Sequence, residues 1–293
     1  MARVLAVGVA ALDIVNEVAS YPPEDGEIRV LAQDLRRGGN ATNTLVVLAQ
    51  LGHRCDWAGV SAQAPGAEIV FDDLQRAGVG IRYSRQLVGG RIPTSYITVS
   101  RSTASRTILH YRDLPEYDFE AFTLIPLQEF DWVHFEGRNV AETLRMMRWL
   151  RKQMPLLPVS LEVEKPRQDI ERLFPHANLI LFSAAVAAHH GLSARDLLAE
   201  AANIAVNADI VCTLGDEGAI ARTRRGEALC SEAFRPHELV DTLAAGDTFN
   251  AGMIDACLRG VPLGEALRFA CQLAGNKCGQ VGLQALHIPE RGV

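Results

Sequence analysis

Two short stretches of this 293-residue chain set polar side chains beside residues that have almost none. The first is Asp241-Thr242-Leu243-Ala244-Ala245-Gly246-Asp247-Thr248-Phe249-Asn250-Ala251-Gly252. Ala244, Ala245 and Gly246 lead into a helical pattern. Without side-chain bulk there, backbone N–H groups can converge on an anion at a helix N-terminus, where the dipole also favours negative charge. That is a hole suited to a phosphoryl group in transfer. Asp247, in the same first turn, is placed to accept the proton of a substrate hydroxyl. The same residues also read as a tight turn with Asp247 as a helix cap. The second stretch is Arg37-Gly38-Gly39-Asn40-Ala41-Thr42-Asn43. Asn40 and Asn43, three apart on one helix face, offer donors and acceptors together, which suits a polyhydroxylated ligand; an Asn40 N-cap on a solvated face is the alternative.

The composition limits what those stretches can serve. Lysine and arginine total 29 against 35 Asp and Glu, a formal charge of −6, which speaks against a broad nucleic-acid surface. Hydrophobic residues make up 48% and charged residues 22%, the profile of a globular chain. Just three of the basic residues are lysines (Lys152, Lys165 and Lys277), and none follows a P-loop glycine run, so phosphate must be held another way. Six scattered cysteines with no C-x-x-C pair read as reduced thiols. The start is too short in apolar residues for a secretory leader, and no 18-residue apolar run occurs; a cytoplasmic protein without membrane contact is expected. His189-His190 point about 100° apart on a helix and lack a third ligand, so they predict no metal site. Lys165 before Pro166 reads as a phosphate contact or a solvated loop lysine.

These stretches need elements to hold them. Apolar runs predict strands over 3–9, 54–60, 131–135, 157–163, 179–182 and 210–214. Helical spacing predicts helices over 40–51, 67–77, 141–153, 194–207, 248–259 and 263–279, the first capped by Asn40. This alternation argues an α/β fold, a parallel-dominated sheet with helices on both faces. Segments 27–35 and 96–111 break it. They read as strands of a small β-sheet, the second a hairpin turning near residues 102–105, which projects as a lid over a cleft.

Taken together, the two stretches resemble the G-G-N-x-x-N and D-T-x-[GA]-A-G-D-T-F signatures of the ribokinase-like (PfkB) superfamily of sugar and nucleoside kinases. Four further segments are similar, in order, to the ketohexokinase-like branch: Tyr21-Pro22-Pro23-Glu24-Asp25, His134-Phe135-Glu136-Gly137-Arg138-Asn139, Glu162-Val163-Glu164-Lys165-Pro166-Arg167, and the run from Ala266 to Gly275. The resemblance covers essentially the whole chain. It implies one ribokinase-like domain over 1–293, with lid strands inserted at about 14–36 and 91–112. It implies Asp247 as catalytic base, Ala244, Ala245 and Gly246 as anion hole, and Arg106 reaching from the lid to the transferring phosphate. Asp13, Asp25, Gly39, Asn40, Asn43 and Glu136 would face the sugar. Thr213, Gly215 and Gly218 would pass close to ATP, with Asn276 and Cys278 beside the adenine.

The implied activity is ATP-dependent phosphorylation of a carbohydrate hydroxyl, on a ketohexose such as fructose. A ribose or nucleoside kinase uses the same machinery, and a catalytically silent sugar- or nucleotide-binding regulator is the reading from another class. ATP and Mg²⁺ are the implied cofactors, with a monovalent cation such as K⁺ as a further one, and a homodimer through the lid is the implied assembly. Two departures stand out. The N-x-x-E motif that organises magnesium-bound water is replaced by Phe182-Ser183-Ala184-Ala185-Val186, which leaves the metal ligands unassigned, with Glu164 a candidate. Ser105 stands where the branch carries asparagine.

Overall fold

The computed structural model describes residues 1–103 and 105–290. Its first strand shows why the main sheet forms. In β1 (Arg3–Val7), Val4 and Ala6 enter one hydrophobic cluster while Leu5 and Val7 enter another on the opposite face. A strand buried on both sides reads as a continuous apolar run, as parallel strands covered by helices do. The chain continues through β2 (Ala11–Val18), β3 (Ala32–Gly38), α1 (Asn40–Gln50), β4 (Arg54–Ala58), β5 (Val60–Ala62), α2 (Ala67–Arg76), β6 (Val79–Gly80), β7 (Arg85–Leu87), β8 (Thr94–Ser100) and β9 (Arg106–Tyr111). After a short α3 (Phe119–Phe122) come β10 (Trp132–Glu136), α4 (Val140–Gln153), β11 (Val159–Val163), β12 (Leu179–Ser183), α5 (Ala184–His189), α6 (Ala194–Ala202) and β13 (Asp209–Thr213). The last elements are β14 (Ala219–Arg222), β15 (Ala228–Ser231), α7 (Ala245–Leu258) and α8 (Leu263–Cys278).

Among the described residues the main sheet runs β15-β14-β13-β12-β11-β10-β1-β4-β6, and every pairing from β13 to β6 is parallel. β14 and β15 add an antiparallel edge. Helices α1, α2, α7 and α8 pack on one face, and α4 and α6 on the other. A second sheet, β3-β2-β8-β9, forms the lid. The fold class is the α/β arrangement expected from the alternation of elements.

Several boundaries move, for physical reasons. The strand expected over 27–35 lies instead at Ala32–Gly38, because residues 22–31 find no ladder partner and only Leu31 N bonds back to Glu17 O, at 2.7 Å. β2, an inner strand of the lid, follows β1 almost directly and begins ahead of the insertion expected at about 14–36; its mixed polar and apolar residues gave no periodicity of their own. The hairpin expected near 102–105 joins antiparallel β8 and β9, with residue 104 outside the described residues. Asn40 is not the cap of α1. Gly39 is, with φ 101°, and a Cβ there would fall 2.2 Å from Val9 O. Glycine at 39 is thus demanded by the backbone. α7 starts three residues earlier than expected, at Ala245, since Ala244 adopts the left-handed conformation (φ 63°) and ends the incoming loop abruptly. The hairpin of β14 and β15 gave no clear periodicity and was not expected.

Candidate active site

The carboxyl ends of a parallel sheet and the N-termini of the helices that follow it point the same way, so polar residues at those ends meet in one crevice. Here Glu136 closes β10, Glu162 lies near the end of β11, Ser183 closes β12 and Thr213 closes β13. All four line a cavity of about 1070 Å³, roofed by Asp13, Ser95, Arg106 and His110 from the lid and floored by residues 241–247.

Asp247 sits in the first turn of α7 and is 7% exposed. Its Oδ2 accepts a hydrogen bond from Asn43 Nδ2 at 2.7 Å. Asn43 is held in turn: its Oδ1 accepts from Arg37 NH1, whose Nε donates to Asp73 Oδ2 at 2.7 Å. The backbone of the same turn is tied to α1, where Thr44 Oγ1 donates to Asp247 O at 3.3 Å. Three side chains in series therefore fix which carboxylate oxygen faces the cavity. A second carboxylate lies close by. Glu162 Oε1 accepts from Asn40 Nδ2 and from Asn250 Nδ2, both at 3.1 Å, while the buried Oε2 has no hydrogen-bond partner. Glu136 Oε2 accepts from Val9 N at 2.8 Å, and a Cβ at Gly8 would crowd that oxygen to 2.4 Å.

Burial dominates the electrostatics. It pushes the Asp247 carboxyl up to about 7; Glu164 and Glu136 push the same way, against the Asn43 hydrogen bond and the Arg37 charge. Burial also raises Glu162 well above the ordinary carboxylate range, with the Asp247 charge next in weight. Asp13 is raised by burial, and its hydrogen bond to Ser95 opposes this. A base must be deprotonated to accept a proton. With Asp247 in the role of base, kcat/KM should therefore fall as pH drops through about 7 and level off above it. A kcat/KM profile flat from weakly acid to weakly alkaline pH would contradict this.

Ala244, Ala245 and Gly246 lead directly into α7 and line the cavity. Ala244 holds φ 63°, which costs an L-residue roughly 1–2 kcal/mol, and this turn ends the loop and starts α7 at Ala245, whose N donates to Thr242 O at 3.4 Å. A Cβ at Gly246 would meet no protein atom within 4 Å, so packing does not demand the glycine and the space it leaves is open. Arg106, at the start of β9, reaches across to Thr242 Oγ1 and brings a guanidinium over that segment.

Of the residues singled out in the sequence, the cavity gathers Asp247, Gly246, Ala245, Ala244, Arg106, Asp13, Gly39, Asn40, Asn43, Glu136 and Thr213. Others lie elsewhere. Asp25 is exposed at a turn (φ 60°) outside the cavity lining, on the stretch that pairs with no strand. Gly215 and Gly218 are also outside the lining, and a Cβ at Gly218 would fall 2.1 Å from Ser231 O, so that glycine serves the β14–β15 edge. Asn276 donates to His287 O at 2.9 Å, and neither it nor Cys278 lines the cavity. Lys165 does line it, 3.7 Å from Glu164. Among the described residues no group of three or more His, Cys, Asp or Glu is arranged to hold a metal, His189 and His190 included, and no helix is long and apolar enough to cross a membrane. Sequence reasoning gave no role to Arg37, Asp73, Glu162 or Asn250. Glu162 was findable, as a charge near the carboxyl end of an otherwise apolar strand. Asp73 lies on another helix, and nothing in the sequence pairs it with Arg37.

Known proteins match this chain from end to end. It is 38% identical to mouse ketohexokinase over 97% of this chain and 98% of that protein. It is 26% identical to the fructosamine kinase FrlD of Bacillus subtilis, over 99% and 95%. Among solved structures, Arabidopsis thaliana ribokinase complexed with ribose and ATP superposes with a TM-score of 0.79 over 96% of this chain and 94% of that one, at 18% identity. The fold is therefore ribokinase-like. The pfkB family carbohydrate kinase profile matches residues 1–291, and with it the chain belongs to that family of phosphotransferases acting on sugar hydroxyls.

Proposed function

We propose that the chain transfers the γ-phosphoryl group of ATP to a primary hydroxyl of a ketohexose, fructose being the first to try. The observation that carries this reading is the Asn43–Asp247 pair at the N-terminus of α7, a buried carboxylate set beside an open anion hole. The sugar is held by Asp13, Asn40, Asn43 and Glu136, which together present acceptors and donors to adjacent hydroxyls. Asp247 takes the proton of the attacking hydroxyl as the segment Ala244, Ala245 and Gly246 receives the phosphoryl charge and Arg106 covers it. The nucleotide approaches from the Thr213 side, past Gly215 and Gly218, with Asn276 and Cys278 towards the adenine. Closure of the lid excludes water that would compete as acceptor.

Mg²⁺ fits the residues present: the partnerless buried Oε2 of Glu162 and the Glu164 carboxylate on the cavity wall are hard oxygen donors of the kind that ion takes, directly or through water. Bound there with ATP, it would neutralise phosphate charge. A K⁺ ion fits less well, because Asp241, the carboxylate next to the anion hole, already holds Lys277 Nζ at 3.1 Å and Arg36 NH1 at 3.2 Å.

The experiment is ADP release measured over a panel of ketoses, aldoses and nucleosides. Saturable turnover with fructose, tagatose or another ketohexose is expected. Activity on ribose or adenosine with none on ketoses would replace the substrate and leave the kinase; no acceptor at all would leave a binding regulator. On the active sugar, Asp13→Ala should raise KM about ten-fold or more with a smaller effect on ATP, since an unpaired sugar hydroxyl in a buried site costs about 1–3 kcal/mol. An unchanged sugar KM would remove Asp13 from the sugar site.

The family resemblance also implies a homodimer through the lid. The exposed Tyr96, Leu109 and Tyr111 on the lid sheet, with Val30 and Leu31 on the chain leading into it, support it, since such apolar side chains are best covered by a second copy. Light scattering at micromolar concentration should read twice the chain mass; a strict monomer would count against the assembly.

A further inference from the structure

Lys277, in the last turn of α8, is fully buried. An ammonium there is costly unless it is paired and hydrogen-bonded. Its Nζ donates to the backbone carbonyl of Asp241 at 2.7 Å and lies 3.1 Å from Asp241 Oδ2. Asp241 is a junction of several parts. Its Oδ1 accepts from Leu243 N at 2.9 Å, and its Oδ2 accepts from Gly282 N at 3.1 Å and faces Arg36 NH1 of lid strand β3 at 3.2 Å. Val240 N and Asp241 N both donate to Cys278 O, at 2.8 and 3.2 Å. These contacts converge on residues 240–243, just before Ala244, where the left-handed backbone begins α7. Burial pulls the Lys277 ammonium below its ordinary value while Asp241 holds it up, as expected of a buried pair.

Packing alone does not call for a lysine, because an apolar chain of similar volume fills such a slot at no electrostatic cost. What an apolar chain cannot do is hold a carbonyl and a carboxylate of the same residue from one point. We propose that Lys277 is a positioning residue for phosphoryl transfer: its ammonium fixes segment 241–244, and through it the N-terminus of α7, in the geometry that receives the phosphoryl group. Because Arg36 shares the Asp241 carboxylate, the same junction ties that segment to the lid. The proposal rests on the kinase reading above.

The test starts from the active parent and Lys277→Ala, which empties a slot the size of a lysine side chain. A displacement near 1 Å in a reacting geometry costs about 10²-fold in rate, so kcat should fall by about that factor while the sugar KM stays within a few-fold. Methylammonium or ethylammonium at tens of millimolar should restore much of the loss, and tetramethylammonium, which has no N–H donor, should restore none. Hydrogen exchange should quicken in the peptide spanning 241–249 and not across the sheet. Should Lys277→Ala fold poorly, the double variant Lys277→Met with Asp241→Asn removes both charges at nearly constant volume; it should melt close to the parent yet remain slow. Parental kcat in either variant, or a loss that follows the folded fraction without amine rescue or local exchange, would overturn the proposal. A parent inactive on every acceptor overturns the kinase reading instead, and the exchange difference then still reports whether Lys277 fixes the segment.

Discussion

Asp247→Asn should lower kcat by about 10²–10⁴-fold, the scale of lost general-base catalysis, with the sugar KM changed little. The substitution keeps the shape of a buried side chain, and the amide can still meet Asn43 if that amide turns over, so the fold should survive. What disappears is an oxygen able to take the hydroxyl proton as the phosphoryl group leaves ATP. The acid limb near pH 7 should vanish from the residual activity, because the group that titrates there is gone. Melting should stay close to the parent or rise slightly, since the variant buries no charge beside Glu162 and Glu136. Turnover within a few-fold of the parent would take Asp247 out of the base role and leave the anion hole to account for the rate.

The contrast between Asp247 and Arg37 shows where sequence reading ends. Asp247 stood out because small residues led into an apolar helix and one carboxylate interrupted them, a local pattern with a local physical meaning. Arg37 lay in an equally visible stretch, yet its work is to bridge Asp73 on α2 and Asn43 on α1, and pairings across elements leave no trace in spacing. The strands of the parallel sheet, the two-residue β6 excepted, were legible because burial on both faces writes a largely apolar run. β2 was not, since a lid strand with one face to the cavity mixes polar and apolar residues as a loop does. Glycines divide in the same way. The resemblance sets Gly39 towards the sugar, and its φ of 101° and the nearness of Val9 O demand a glycine there on backbone grounds alone; Gly246 has neither constraint and leaves open space before Asp247.

Arg106→Ala should lower kcat by about 10²–10³-fold, the range seen when a cation or donor aimed at transferring phosphoryl charge is removed. The side chain starts at the first residue of β9, lines the cavity and ends at Thr242, so its charge lies over the segment that receives the phosphoryl group. Among the described residues that charge has a hydroxyl as its side-chain partner rather than a carboxylate. Exchanging Thr242 for a phosphate oxygen therefore breaks no ion pair, and the gain appears as charge develops. Since the residue is exposed, its removal should leave the melting temperature nearly unchanged. Arg106→Lys should recover part of the rate, because an ammonium supplies the charge without the planar fork that holds two oxygens at once. If Arg106 served merely to latch the lid, the alanine variant would raise the sugar KM and spare kcat; a fall in kcat at saturating sugar and ATP assigns it to the phosphoryl group.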